Sequence, residues 1–418
     1  MSKITNIATR AIYDARGQPT PEVEIQTACG TFRASAPSQS SFSRHDCVEL
    51  KDNEPRSWGG RGSQKCIDAI RTRIRPVLTG FDIQDINEVD KKLKEIDESP
   101  DGRMGTIGTN ASLPISMACI QASAAYNRTP LFKYISKLAN TKAKMPNPCF
   151  SLVSGGLSGG LTFVKDYYIT AIGQIPLQDQ LQNYSLLQQE VRKQLQNKTT
   201  ISHTGGFMIA QDTVEEVLKV LTGWIKSAGL DGKVGIILDC AANDIADPKQ
   251  FTYEITKFNP DKPKQVISGA QMIEKYVNLC TANPAIIAII DPFYYEDFGN
   301  CAELISKVKK VQVFGQQMFS SRVDRVPYFI KHDRGQLASN VIIQMTSVGL
   351  ISEVIKTARK AKEMNIPISV TTSNGETEDV FVAHLAVGLG ADYFFVGGMQ
   401  RSDRIEKVNE LARIAELL

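Results

Sequence analysis

Short apolar runs separated by amphipathic stretches dominate the second half of the chain, at 234–239, 286–291, 311–315, 340–345, 367–372 and 393–397. Each run has the length of a strand buried on both faces and is too short for a helix. Between them, apolar positions recurring every three to four residues predict helices over 271–279, 351–364 and 379–389. Strand and helix in strict alternation make a parallel sheet with right-handed crossovers. Two further apolar segments, 147–153 and 164–172, raise the available strands to eight, which favours a closed barrel over an open sheet.

The first third follows a different rhythm. Strand patterns occupy 4–36, with the turn signal Asp14-Ala15-Arg16-Gly17, the alternation Glu22-Val23-Glu24-Ile25 and the turn at Cys29-Gly30, and they predict a three-stranded antiparallel meander. Helical periodicity covers 64–78, 84–97 and 110–139, the last opening at Asn110 and rich in alanine, serine and methionine like a buried helix. The expected organisation is α/β: a small α+β domain over 1–140, then a barrel domain over 141–418.

Composition narrows the function classes. The 418 residues are 42% hydrophobic and 22% charged, the mixture of a soluble globular protein. A net charge of +3, with both signs dispersed, advertises no face for nucleic acid or anionic lipid, so neither partner is expected. Apolar runs such as 285–290 are far below the ~20 residues of a bilayer span, and Met1-Ser2-Lys3 leads into a strand pattern instead of a signal peptide, so a cytoplasmic location is expected. Eight scattered cysteines without a C-x-x-C pair read as reduced core thiols in preference to a disulfide framework or a zinc site.

In a barrel of this kind, loops from every strand converge at the carboxyl ends, and chemistry sits there. Those ends offer Asp239 and Asp291, but also Ile290, Gln316, Gln344, Thr372 and Phe395. A magnesium site wants several hard oxygen ligands, and a proton-abstracting site wants a base of tunable pKa. This mouth is short of both.

Particular motifs then resemble a known family. The run from Ala11 to Thr20, AIYDARGQPT, resembles the S-x-Y-D-S-R-G-N-P-T opening of enolases, and Gly232-Lys233 through Leu238-Asp239-Cys240-Ala241 resembles their G-K-V…L-D-C-A strand. Asp291-Pro292-Phe293, the run SNGETED from Ser373 to Asp379, and Arg401-Ser402-Asp403-Arg404 extend the match over nearly the whole chain. The resemblance implies the enolase fold, an N-terminal α+β lid domain followed by a β2α2(βα)6 TIM-like barrel. It also implies phosphopyruvate hydratase ancestry, with magnesium as the cofactor of an active site, and a homodimer, although the chain stops soon after Glu410-Leu411-Ala412-Arg413, short of the glycine- and acid-containing tail that borders the family's dimer interface.

Carried across residue by residue, the resemblance assigns three metal-binding carboxylates to Asp239, Ile290 and Gln316, so two are replaced by residues without charge. Ser41 matches a lid-loop serine that ligates a second ion. Gln344 stands where the family has its lysine base, Thr204 where it has the acid partner, and Asp166 where a glutamate assists. Thr372 and Ser373 fall in the former S-H-R-S clamp, and Phe395 replaces the lysine of the last barrel strand. No catalytic set is intact, and no cofactor is expected.

The expected function is that of an enolase-like pseudoenzyme serving as a scaffold or assembly subunit with protein partners, a cytoskeletal place in a cilium or flagellum included. The alternatives are a phosphopyruvate hydratase of residual activity, or an altered lyase or small-molecule sensor using Asp239, Asp166 and His203. Asp239 is read as hydrogen-bonded in preference to metal-bound, and His203 as a solvated loop residue in preference to a new base. His45 is read as structural, and the aromatic run 293–298 either fills the vacated cavity or forms a binding hot spot.

Overall fold

The computed structural model describes residues 2–39 and 43–418. Three antiparallel strands open it, β1 (Asn6–Tyr13), β2 (Pro19–Thr27) and β3 (Gly30–Ser35), in the order β1-β2-β3. The Asp14 carboxylate closes the first turn by accepting from the N–H groups of Arg16 at 2.8 Å and Gln18 at 3.0 Å. Alternation along β2 then buries Val23 and Ile25, while Glu24 on the other face meets Arg33 at 2.6 Å.

Four helices complete the domain: α1 (64–78), which passes through a wider π turn at Ile70–Ile74, α2 (Ile86–Asp97), α3 (Thr109–Tyr126) and α4 (Leu131–Ala139). The single helix expected over 110–139 is thus two. Arg128 adopts a left-handed φ of 50° and Pro130 has no N–H to offer, and either stops an α-helix. Helix α3 is buried almost all round because β2 and β3 cover one side, and α1, α2 and α4 together with the barrel's 345–347 turn and Ile351–Glu363 helix cover the rest.

The barrel strands are β4 (Asn147–Ser154), β5 (Asp166–Ala171), β6 (Val234–Asp239), β7 (Ile286–Ile290), β8 (Gln312–Gly315), β9 (Asn340–Ile343), β10 (Ile368–Thr371) and β11 (Tyr393–Phe395). They hydrogen-bond in chain order, and Tyr393 opposite Asn147 closes the ring. Strand β5 runs antiparallel to both β4 and β6, and all other pairs around the ring are parallel. Two helices, α5 (Leu177–Gln194) and α6 (Val214–Ser227), separate β5 from β6, and one helix follows each later strand. This is the β2α2(βα)6 order. Inside the barrel, Tyr168, Ile237, Ile290, Phe314, Ile342 and Phe395 form an apolar plug.

The small domain is mounted on the barrel's carboxyl-end loops. Ser38 and Gly375 exchange backbone hydrogen bonds at 2.8 and 2.9 Å. The helix Ile351–Glu363 lacks a cap of its own, and its first N–H groups donate to Ser116 at 3.0 Å and Asp90 at 2.9 Å, both from the small domain. All eight cysteines are unpaired; six are buried, but Cys29 is exposed and Cys280 half-buried, so the core reading fails for those two. No helix among the described residues is long and apolar enough to cross a membrane.

Burial raises the Asp90 carboxyl to about 6, against which the Ser352 N–H works only in part. A folded-state pKa above the unfolded one means that folding binds a proton between these values, so stability falls as pH rises from about 4 to 6 and stays level above. Asp90→Asn, which keeps an oxygen acceptor for Ser352, is therefore expected to gain up to about 3 kcal/mol on the wild type across that interval. Urea unfolding at pH 4 and pH 7 checks this, and an equal effect at both values would refute it.

Candidate functional site: the carboxyl-end mouth of the barrel

Asp239 ends β6 two residues after the plug residue Ile237, so its side chain faces into the mouth. The antiparallel register of β5 and β6 sets Asp166 directly opposite it. Lys165, one residue before β5, binds Asp239 twice: its N–H donates to the backbone oxygen at 2.7 Å, and its Nζ lies 3.2 Å from Oδ2. Burial works against the Lys165 charge, but the Asp239 and Asp166 carboxylates outweigh it and raise its pKa, so the ammonium keeps its proton. Burial likewise raises Asp239, and Lys165 pulls it back.

Asp166 is fully buried, and four hydroxyls converge on it: Ser151 at 2.6 Å, Ser154 at 2.8 Å and Thr204 at 3.2 Å on Oδ1, and Ser158 at 3.1 Å on Oδ2. Strand alternation predicts that Asp291 points away from the mouth, and the structure corrects this. Its φ of 43° ends the strand, and its carboxylate turns to accept from the N–H groups of Gln316 at 2.9 Å and Gln317 at 3.0 Å while lining the same cavity as Asp239. Burial raises its pKa to about 7 despite those two donors.

Across the mouth runs a chain of neutral hydrogen bonds. Gln316 Nε2 donates to Gln344 Oε1 at 2.7 Å, Gln344 Nε2 to Ser373 Oγ at 3.2 Å, and Ser373 meets Thr346 at 3.1 Å, which accepts from Gln39 of the small domain. Arg404, 1% exposed, braces the loop after β10 by donating to Thr372 Oγ1 at 2.7 Å, the Ser373 oxygen at 2.9 Å and the Asn374 oxygen at 3.1 Å. Below it, fully buried Lys407 pairs with Glu376 at 3.1 Å.

Of the residues singled out from sequence, Asp239, Gln316, Gln344, Thr204, Thr372 and Ser373 line one cavity, and Asp166 touches it through Thr204. Ile290 and Phe395 instead belong to the plug beneath, Phe395 packed edge-on to Tyr168 at 5.1 Å between ring centres. Ser41 lies outside the described residues. The cavity measures about 30 Å³, room for roughly two waters, where small-molecule pockets usually exceed about 300 Å³. Sequence reasoning passed over Lys165 and Arg404. The signal for Lys165 was a lysine beside a mapped acid at the head of an apolar strand.

The remaining histidine and aromatic expectations are also decided by placement. His203 is half-buried, and its Nε2 has no hydrogen-bond partner among the described residues; burial and the nearby Arg404, Lys165, Arg16 and Arg401 push its pKa down to about 4, so it is not the solvated residue expected. The run 293–298 does not fill the mouth. Phe293 packs on Tyr253 and Tyr276 outside the barrel wall, and Tyr295 meets His45 of the small domain edge-on at 5.6 Å.

A magnesium ion would need several charged oxygen ligands free to turn toward it. Among the described residues no three His, Cys, Asp or Glu side chains are grouped to hold a metal. Asp239 is engaged by Lys165, both Asp291 oxygens accept backbone N–H groups, Ile290 has no donor atom, and the Gln344 oxygen is occupied by Gln316. This donor set does not fit magnesium.

A β2α2(βα)6 barrel with an α+β domain seated over its carboxyl ends defines a two-domain α/β protein of the closed-barrel class. Family models agree: residues 4–135 match "Enolase, N-terminal domain" and residues 142–418 match "Enolase, C-terminal TIM barrel domain". A protein named Enolase from Mastigamoeba balamuthi is 31% identical over 430 residues, covering 100% of this chain and 96% of that protein. Another, Enolase 1 from Entamoeba histolytica, is 32% identical over 425 residues, covering 99% and 96%. The chain belongs to the enolase family.

Arg404→Met removes the donor of the Ser373 and Asn374 carbonyls and of the Thr372 hydroxyl in a partly buried loop, and leaves the Asp403 carboxylate without its buried guanidinium. It is expected to lower the unfolding free energy by about 3–5 kcal/mol, read by urea denaturation; a loss under about 1 kcal/mol would show that the loop does not depend on this residue.

Proposed function

We propose that this enolase-family chain does not dehydrate 2-phosphoglycerate efficiently and serves as a folded, non-catalytic subunit that works by binding other proteins. The observation that carries the reading is the Gln316–Gln344 amide pair at 2.7 Å. One of these positions would supply a metal ligand and the other the base, and two primary amides bonded to each other supply neither charge nor a proton acceptor. The small cavity and the hydroxyl-saturated Asp166 support the same reading. Family membership speaks for the fold, while activity resides in the site.

A second reading, a phosphopyruvate hydratase of residual activity, is favoured by the full-length likeness to two proteins named enolase. Formation of phosphoenolpyruvate from 2-phosphoglycerate with magnesium, followed by absorbance beside a sequence-related amoebal enolase, separates the two. Turnover at least about 10³-fold below that enolase is expected, since losing even one preorganised charged group costs about 10²–10³. Comparable turnover that disappears in Asp239→Asn would overturn the non-catalytic reading. In-cell crosslinking before size separation tests the binding role, for which recovery solely as a free monomer counts against it.

A further inference from the structure

We propose that the Lys165 ammonium is this chain's own substitute for a divalent cation at the barrel mouth, a resident charge that neutralises Asp239 and leaves the mouth without metal affinity. The β5 and β6 register sets the Asp166 and Asp239 carboxylates against each other, both almost wholly removed from solvent. Two buried acids in register need a cation or compensating donors. Asp166 has its four hydroxyls and Asp291 its two backbone N–H groups. Asp239 accepts from the Ala241 N–H, and its compensating charge comes from Lys165, whose side chain is 14% exposed against 6% for its partner.

The geometry makes this more than an incidental ion pair. The Lys165 N–H bonds the Asp239 backbone at 2.7 Å, so the side chain starts from a position fixed to its target and has little freedom to leave it. A lysine ammonium is a compact point charge, closer to a metal ion in shape than a guanidinium is. A divalent ion at Asp239 would have to displace that ammonium or lie beside it, with Ile290 and the bonded glutamines offering no charged ligand in return. The proposal deepens the non-catalytic reading of the same site, but metal affinity and turnover are separate measurements.

The test uses the full chain with manganese(II) as a spectroscopic probe and magnesium in thermal unfolding. Wild type is expected to bind no manganese at the mouth and to melt at the same temperature in chelator and in millimolar magnesium. Lys165→Met is expected to melt lower, and the double variant Lys165→Met with Asp239→Asn to recover most of that loss, a coupling of about tenfold or more in the folding equilibrium. If Lys165→Met does not fold, soluble folded double variant makes the same point, and a double variant no better than the single overturns the proposal. Wild-type manganese binding that is lost in Asp239→Asn also overturns it. Such binding without turnover would sink this proposal and leave the non-catalytic reading standing, whereas brisk turnover would sink that reading first.

Discussion

A carboxylate removed from water at the closed end of a barrel must be neutralised by the protein around it, and the character of this mouth follows from how that is done. At 3.2 Å and an effective dielectric near 20, Lys165 and Asp239 attract by roughly 5 kcal/mol. Desolvating the two ions costs several kcal/mol each, so the pair as a whole is close to neutral for stability. The balance changes if either partner is lost, because the other charge is then buried alone. The pair is therefore a constraint on what the mouth can become more than a source of stability.

The same logic explains the neutral chain from Gln316 through Gln344, Ser373 and Thr346 to Gln39. Amides and hydroxyls can satisfy one another without a ligand, and a satisfied polar network in a low dielectric is stiff. Charged side chains held apart for a ligand would repel or attract across an empty space. Here the groups have closed on each other, and the cavity between them is only about 30 Å³. The far end of the chain is Gln39 of the small domain, so the network that fills the mouth also ties that domain to the barrel.

Seating is reinforced by buried cations on the last helix. Arg404 and Lys407 lie one turn apart on Ser402–Ala415 and reach the loop that follows β10, Arg404 through two carbonyls and a hydroxyl, Lys407 through Glu376 and the Thr377 carbonyl. That loop in turn pairs with Ser38 of the small domain. Arg404, Glu376 and Thr377 fall in the segments SNGETED and RSDR that resemble the family, so these segments brace the mouth, while the replaced positions Ile290, Gln316, Gln344 and Phe395 lie in its lining and plug.

Local pattern was enough to place the barrel. Its strands are buried on both faces and so read as continuous apolar runs, its helices keep a 3.6-residue period, and the second half of β2 alternates between buried and partly exposed positions. Which charges stood at the strand ends was legible for the same reason, since a strand's last residue is fixed once its run is. What those charges do was not legible. Asp291 faces the mouth because its backbone turns to a φ of 43°, the run 293–298 packs outside the wall because its strand ends before it, and the 110–139 helix breaks at Arg128 and Pro130. Lys165 meets Asp239 across 74 residues of chain, through a register set only when β5 pairs antiparallel to β6. Periodicity reports which face of an element is buried, whereas the partner a buried charge finds depends on how elements are brought together, and that was decided by the tertiary structure alone.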